Sequence, residues 1–164
     1  MLFSLKVVKN PLVLAPHLRN YFAAVQDAQV EGEYGITITC GEPYFLNDRM
    51  LGSLNILPRH FYDPQGLMEE VSLSSLVDES WKEGADSLRV SRFAQQFNQN
   101  FNRKVLGSGS YLIEDVERDV VTQQKVVLTR NANYWGAGKA DLPDPGYVDK
   151  IVFKIINNMD AAFI

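Results

Sequence analysis

Residues 107–136 read GSGSYLIEDVERDVVTQQKVVLTRNANYWG, and this stretch decides how the last third of the chain folds. The segments 111–116 and 125–130 are rich in β-branched and aromatic residues, and a polar segment separates them. This spacing predicts the two strands of a hairpin. We expect a turn before the first strand, in which Gly107 and Gly109 supply positive φ angles and allow close backbone approach.

The segment after the hairpin predicts a loop with an aromatic pair. Residues 131–146 hold three glycines and two prolines around Tyr134 and Trp135. The two rings offer flat amphipathic surfaces that suit an organic ligand, although a core anchor beneath the loop explains Trp135 equally well. Alternating apolar residues then predict a strand over 148–156, and 159–162 resembles the first turn of a helix.

Hydrophobic spacing predicts the remaining elements of a mixed α/β lobe. These are a helix over 16–27, a strand over 36–40, an irregular packed segment over 42–66 and a helix over 87–101. The acidic residues of 67–86 are interpreted as the solvated face of a helix. We expect the strands near 36–40, 111–116, 125–130 and 148–156 to form one sheet with flanking helices, in an order that stays open.

Composition excludes several classes of protein. The 164 residues suffice for one domain, and 46% apolar, 22% charged and 11% aromatic residues are ordinary globular values. A net charge of −4 with scattered basic residues argues against nucleic-acid binding. No apolar run is long enough to span a membrane as a helix, and residues 1–8 lack the features of a signal peptide. The single Cys40 has no cysteine with which to form an internal disulfide.

Nothing in the sequence predicts catalysis, a metal site or a cofactor. Only His17 and His60 are available for a histidine-centred triad or metal cluster, and no HExxH, GxSxG, GxGxxG, Walker A or EF-hand pattern occurs. Ser108 and Ser110 stand in a glycine-rich turn that could suggest a nucleophile or a phosphate cradle. The turn lacks a P-loop lysine and a paired base, so a backbone role is the preferred interpretation and a hydrolase using Ser108 is the weakest alternative.

Three ordered motifs in the last third carry a family resemblance. They are Gly107-Ser108-Gly109-Ser110-Tyr111-Leu112, then Val127 to Gly136 (VLTRNANYWG), then Asp149 to Ile155 (DKIVFKI). In this order and spacing they resemble the family 5 extracellular solute-binding proteins, the dipeptide, oligopeptide and nickel carriers. Earlier features occur in family order too: Phe3 to Leu5, Asn10-Pro11, Tyr21-Phe22, Ile36 to Cys40, Glu42 to Phe45 and Ile56 to His60.

The resemblance covers nearly the whole chain, with three departures. Ser110 and Ala132 stand where the family has prolines, and 64–100 contains a longer helical insertion. Because proline chiefly stiffens the backbone, its absence at these two positions affects the rigidity of the backbone more than the resemblance to the family. Because members of the family are several times longer, the resemblance implies one lobe of a class II periplasmic-binding-protein-like fold. Residues 1–27 would end the small peripheral domain, and 28–164 would form an α/β lobe cut near the hinge.

By the resemblance, the chain is a non-enzymatic, substrate-binding component of an ABC importer. It would carry peptides or similar small solutes, in the periplasm or on a lipid anchor, to membrane permease subunits. Ser108, Gly109, Ser110, Tyr134 and Trp135 match positions near the family's ligand cleft. Without the opposite lobe we expect weak binding or none. The alternative is a standalone interaction or dimerising lobe, from a split or decayed member, whose dimer Trp135→Ala would abolish.

Overall fold

The computed structural model describes residues 1–101, 103–139 and 148–156. The chain divides into two compact units, Met1–Asn102 and Arg103–Ile164. The first unit contains helices α1 (Leu2–Lys9) and α2 (Pro16–Tyr21), strands β1 (Val25–Glu31) and β2 (Gly35–Cys40), and helices α3 (Asn47–Gly52), α4 (Arg59–Tyr62), α5 (Leu73–Asp78) and α6 (Ala85–Gln96). A 3-10 turn covers Ser80–Lys82, and a π-helical turn, Phe97–Phe101, continues α6.

Helix α1 lies at the centre of the first unit. Its residues from Ser4 to Lys9 are all buried, and Leu5 is fully enclosed by apolar side chains. Even its lysines point inward: Lys6 Nζ donates to Met68 O at 2.9 Å, and Lys9 Nζ donates to a backbone carbonyl at 3.1 Å. Burial lowers the pKa of both ammonium groups. The sequence did not predict this helix, which Pro11 ends.

The first hairpin corrects the helix predicted over 16–27. Helix α2 ends at Tyr21, and Val25 begins β1, which pairs antiparallel with β2. The turn between the strands uses Gly32 with φ +66°, a conformation that glycine adopts without strain. Leu18, Tyr21, Phe22 and Val25 have helical spacing, but Val25 pairs with Cys40 across the β1–β2 ladder instead. The strand predicted over 36–40 is confirmed.

Helix α6 confirms the prediction over 87–101 and carries core residues. Val90 and Phe93 are completely or almost completely buried, and the Phe93 ring packs edge-on against Phe3 with centroids 6.0 Å apart. The longer helical insertion expected within 64–100 therefore contributes residues to the core of the first unit. The acidic segment before it is broken into α5 and the 3-10 turn, and Glu69 and Glu79 are exposed as predicted.

The second unit is a sheet built around one strand. It contains β3 (Tyr111–Leu112), helix α7 (Val116–Asp119), β4 (Val120–Val121), β5 (Lys125–Arg130) and β6 (Lys150–Lys154). Strand β5 pairs antiparallel with β3 and β4 and, separately, with β6. The α/β class is confirmed, as are the predicted strands at 125–130 and, in shorter form, 148–156. The expectation of one sheet is wrong, because β2 belongs to the separate hairpin of the first unit.

The strand predicted over 111–116 ends early, at Leu112. The Asp115 side chain accepts hydrogen bonds from the Glu117 and Arg118 backbone amides at 2.9 and 3.3 Å, so it caps α7. Arg118 in turn donates to both carboxylate oxygens of buried Asp119, at 2.7 and 2.9 Å. This contact lowers the pKa of Asp119 and raises the pKa of Arg118. The predicted hairpin survives as the β3–β5 pair, with α7 and β4 in its connection.

Three sequence predictions are tested only in part or not at all. The boundary expected between residues 27 and 28 separates the small peripheral domain from the α/β lobe. The division into two compact units does not test this boundary, so it stays a prediction. The predicted loop over 131–146 is confirmed for 131–139, whereas 140–146 and the predicted helical turn at 159–162 lie outside the described residues.

Candidate functional site

The glycine-serine turn lies at the end of the β3–β5 ladder. Tyr111 pairs with Arg130, and the ladder extends one hydrogen bond further, because the Asn131 amide donates to Ser110 O at 2.8 Å. Ser108 is exposed and Ser110 is half-buried. The turn is therefore held at its Ser110 end, and Ser108 is open to solvent.

The glycines of this turn do not have the role that we expected. Neither Gly107 nor Gly109 has a positive φ. A Cβ atom at Gly107 would meet nothing within 4 Å, and one at Gly109 would meet only Tyr111 O, at 3.7 Å. The segment is exposed and bends at Gly109 and Ser110 without a left-handed residue. The predicted requirement for positive φ and close backbone approach is wrong.

Asn131 joins the turn to the aromatic loop. Its Nδ2 donates to Gly109 O at 3.1 Å, its Oδ1 accepts the Asn133 amide at 3.0 Å, and its carbonyl accepts the Tyr134 amide at 3.1 Å. The structure thus brings the predicted residues Gly109 and Ser110 next to the loop that carries Tyr134 and Trp135. Asn131 was not among the predicted site residues. An asparagine at the start of a glycine-rich loop is a turn signal that could have indicated it.

The two rings of the loop differ in exposure. Their centroids lie 5.5 Å apart, Tyr134 is half-buried, and Trp135 is 56% exposed. Lys139 Nζ lies 5.0 Å from the centroid of the Trp135 ring, within the range of a cation–π contact. The interpretation of Trp135 as a core anchor is therefore wrong for the described part of the chain. Its indole is available to a ligand.

Gly136 supports the Tyr134 ring. A Cβ atom at this position would come within 2.6 to 2.9 Å of Tyr134 Cε1, Cζ and Oη. We expect Gly136→Ala to displace the Tyr134 ring, to reorient Trp135 and to cost about 1 kcal/mol of unfolding free energy. The Trp135 emission maximum should shift in a Trp81→Phe background. Gly138→Ala tests strain alone, since Gly138 has φ +73° and open space around it. Equal emission spectra for Gly136→Ala and wild type would contradict the packing described.

The described residues lack two other features that would indicate a different function. No group of three or more His, Cys, Asp or Glu side chains within 1–101, 103–139 and 148–156 could hold a metal ion. None of the helices in those ranges is both long and apolar enough to cross a membrane. Ser108 has no hydrogen bond there that links it to the aromatic loop.

The family comparison agrees with the motifs. The family described as "Bacterial extracellular solute-binding proteins, family 5 Middle" matches residues 1–163. The chain belongs to this family of bacterial extracellular solute-binding proteins. Membership gives it a substrate-binding role in ABC import and a location outside the cytoplasm. No curated protein and no solved structure matches the chain.

Proposed function

We propose that the chain binds peptides or similar small solutes through Ser108, Gly109, Ser110, Tyr134 and Trp135, and that it delivers them to the permease subunits of an ABC importer. The observation that supports this proposal is the link through Asn131, which joins the turn that carries exposed Ser108 to the loop that carries exposed Trp135. The site binds without catalysis, and the whole protein works in the periplasm or on an extracytoplasmic lipid anchor.

The chemistry of the two segments suits a peptide. Serine hydroxyls both donate and accept hydrogen bonds, so they can pair with peptide N–H and C=O groups in different registers. The Trp135 indole offers a flat apolar surface for a side chain, and Lys139 places a positive charge beside it. Backbone pairing with adaptable apolar contact makes recognition tolerant of peptide sequence.

Isothermal titration of the 164-residue chain with trialanine tests the proposal. We expect weak binding that still saturates at millimolar peptide and that Trp135→Ala weakens about tenfold or more, because tryptophan contacts often dominate binding energy. Trp81→Phe is the control, since Trp81 is buried in the other compact unit. Maltotriose and Ni²⁺ distinguish peptide from oligosaccharide and metal carriage. Equal affinity of wild type and Trp135→Ala would remove Trp135 from the site.

A second candidate function is self-association, and the exposed apolar residues within and directly after β6 favour it. Val152, Phe153, Ile155 and Ile156 are each about half exposed. In sedimentation experiments, the interaction-module function predicts a dimer that dissociates in Trp135→Ala. A monomer at all concentrations, together with trialanine binding, supports the carrier function instead.

A further inference from the structure

The hydrogen bonds of Asn131 divide between two segments. Both of its nitrogens donate to the glycine-serine turn: the backbone amide donates to Ser110 O at 2.8 Å, and Nδ2 donates to Gly109 O at 3.1 Å. Both of its acceptors face the aromatic loop: Oδ1 takes the Asn133 amide at 3.0 Å, and the carbonyl takes the Tyr134 amide at 3.1 Å. One half-buried residue therefore connects the two parts of the proposed site.

We propose that Asn131 is the positioning residue of this site, which holds the turn at Gly109 and Ser110 in register with the loop at Tyr134 and Trp135. This inference rests on the proposed function. Asn131 need not touch the solute. It sets the distance between the polar and the aromatic contacts, so a solute that uses both binds without first having to order them.

The chemistry of the side chain explains why an amide stands here. The position needs a donor toward Gly109 O and an acceptor toward the Asn133 amide, and asparagine supplies both. One oxygen of an ionised aspartate still accepts the Asn133 amide, so the loop keeps its turn. The other oxygen has no proton to donate and lies against Gly109 O, which is also an acceptor. Asn131→Asp therefore removes only the contact between the segments, whereas Asn131→Ala removes both side-chain contacts.

The aspartate variant also provides a pH-dependent rescue. Protonation gives the carboxyl an O–H that can donate to Gly109 O, and an ordinary aspartate is about half protonated near pH 4. Any loss of trialanine affinity or of amide protection that the missing donor causes must therefore become smaller as the pH falls from 7 to 4. Wild-type Asn131 has no proton to gain, so each variant is compared with wild type at the same pH. Asn133→Asp is the matched control, since the exposed Asn133 enters the network through its backbone amide.

The test combines amide hydrogen exchange by NMR with trialanine titration. At pH 7 we expect the residue 131 amide of Asn131→Asp to exchange roughly 3- to 10-fold faster than in wild type, after correction for intrinsic rates, and the Tyr134 amide to stay unchanged. Trialanine affinity should fall by a similar factor. Near pH 4, the exchange rate of the residue 131 amide and the trialanine affinity of Asn131→Asp should each return to within about twofold of wild type. Asn133→Asp should match wild type at both pH values.

Three results would overturn the inference. They are an unchanged residue 131 amide in both Asn131→Asp and Asn131→Ala, unchanged trialanine affinity despite faster exchange, and a defect that persists at pH 4. A wild-type chain that does not bind trialanine contradicts the proposed function. In that case the exchange rates alone decide whether Asn131 holds the two segments together.

Discussion

Phe93→Ala is expected to lower the free energy of unfolding of the first unit by about 3–5 kcal/mol. Phe93 is 1% exposed on α6 and packs against Phe3 and Phe97, with ring centroids 6.0 and 5.6 Å away. Its removal leaves a cavity that fixed neighbours cannot fill. Because the stability of a whole domain is only about 5–15 kcal/mol, this single change removes a large share of it.

Urea unfolding measures the effect of Phe93→Ala. The emission of buried Trp81 reports on the first unit when Trp135 is replaced by phenylalanine. Leu88→Ala is the control on the same helix, because Leu88 is 73% exposed and should change stability by less than about 0.5 kcal/mol. Similar losses in the two variants would show that α6 does not pack on the core as described.

Asn10→Ala should cost about 2–4 kcal/mol of unfolding free energy. Asn10 is completely buried at the end of α1, where Nδ2 donates to Val90 O at 3.2 Å and Oδ1 accepts the Leu12 amide at 3.0 Å. Alanine leaves the Val90 carbonyl and the Leu12 amide without these partners, and an unsatisfied buried group costs about 1–3 kcal/mol. The asparagine of the Asn10-Pro11 motif therefore has a structural role.

Asn98→Ala is the matched control for Asn10→Ala. Asn98 makes two hydrogen bonds to the segment that follows Asn10. Its Oδ1 accepts the Leu14 amide at 3.0 Å, and its Nδ2 donates to Leu12 O at 2.9 Å. These bonds are exposed to solvent, so water can replace them and the loss should stay below about 1 kcal/mol. If both substitutions cost the same, burial does not explain the importance of Asn10.

Elements defined by local pattern could be predicted from the sequence. Strands β2 and β5 are rich in β-branched residues, which alternate between the two faces along β2 and follow one another in β5. Helix α6 carries Val90 and Phe93 at helical spacing. Helix α1 could not be predicted. Its Lys6 would indicate an exposed face, and the Met68 and Glu69 carbonyls that satisfy the ammonium group lie 62 and 63 positions away.

The sequence singles out the residues of the candidate site but not their arrangement. The motifs singled out Ser108 to Ser110 and Tyr134-Trp135, and the structure brings Gly109, Ser110 and the aromatic loop together through Asn131. No local pattern shows that Nδ2 of this asparagine reaches a carbonyl 22 positions earlier. The exposure of Trp135 is likewise a tertiary property, which composition left open between a ligand surface and a core anchor.

We propose that this family 5 chain binds its solute at the glycine-serine turn and the aromatic loop. The most direct test is to titrate the ¹⁵N-labelled chain with trialanine and to follow every backbone amide by NMR. We predict shifts that saturate and concentrate in 107–111 and 131–139, with the Trp135 indole N–H among the largest. Saturable shifts confined to the first unit, or none at millimolar peptide, would contradict the claim.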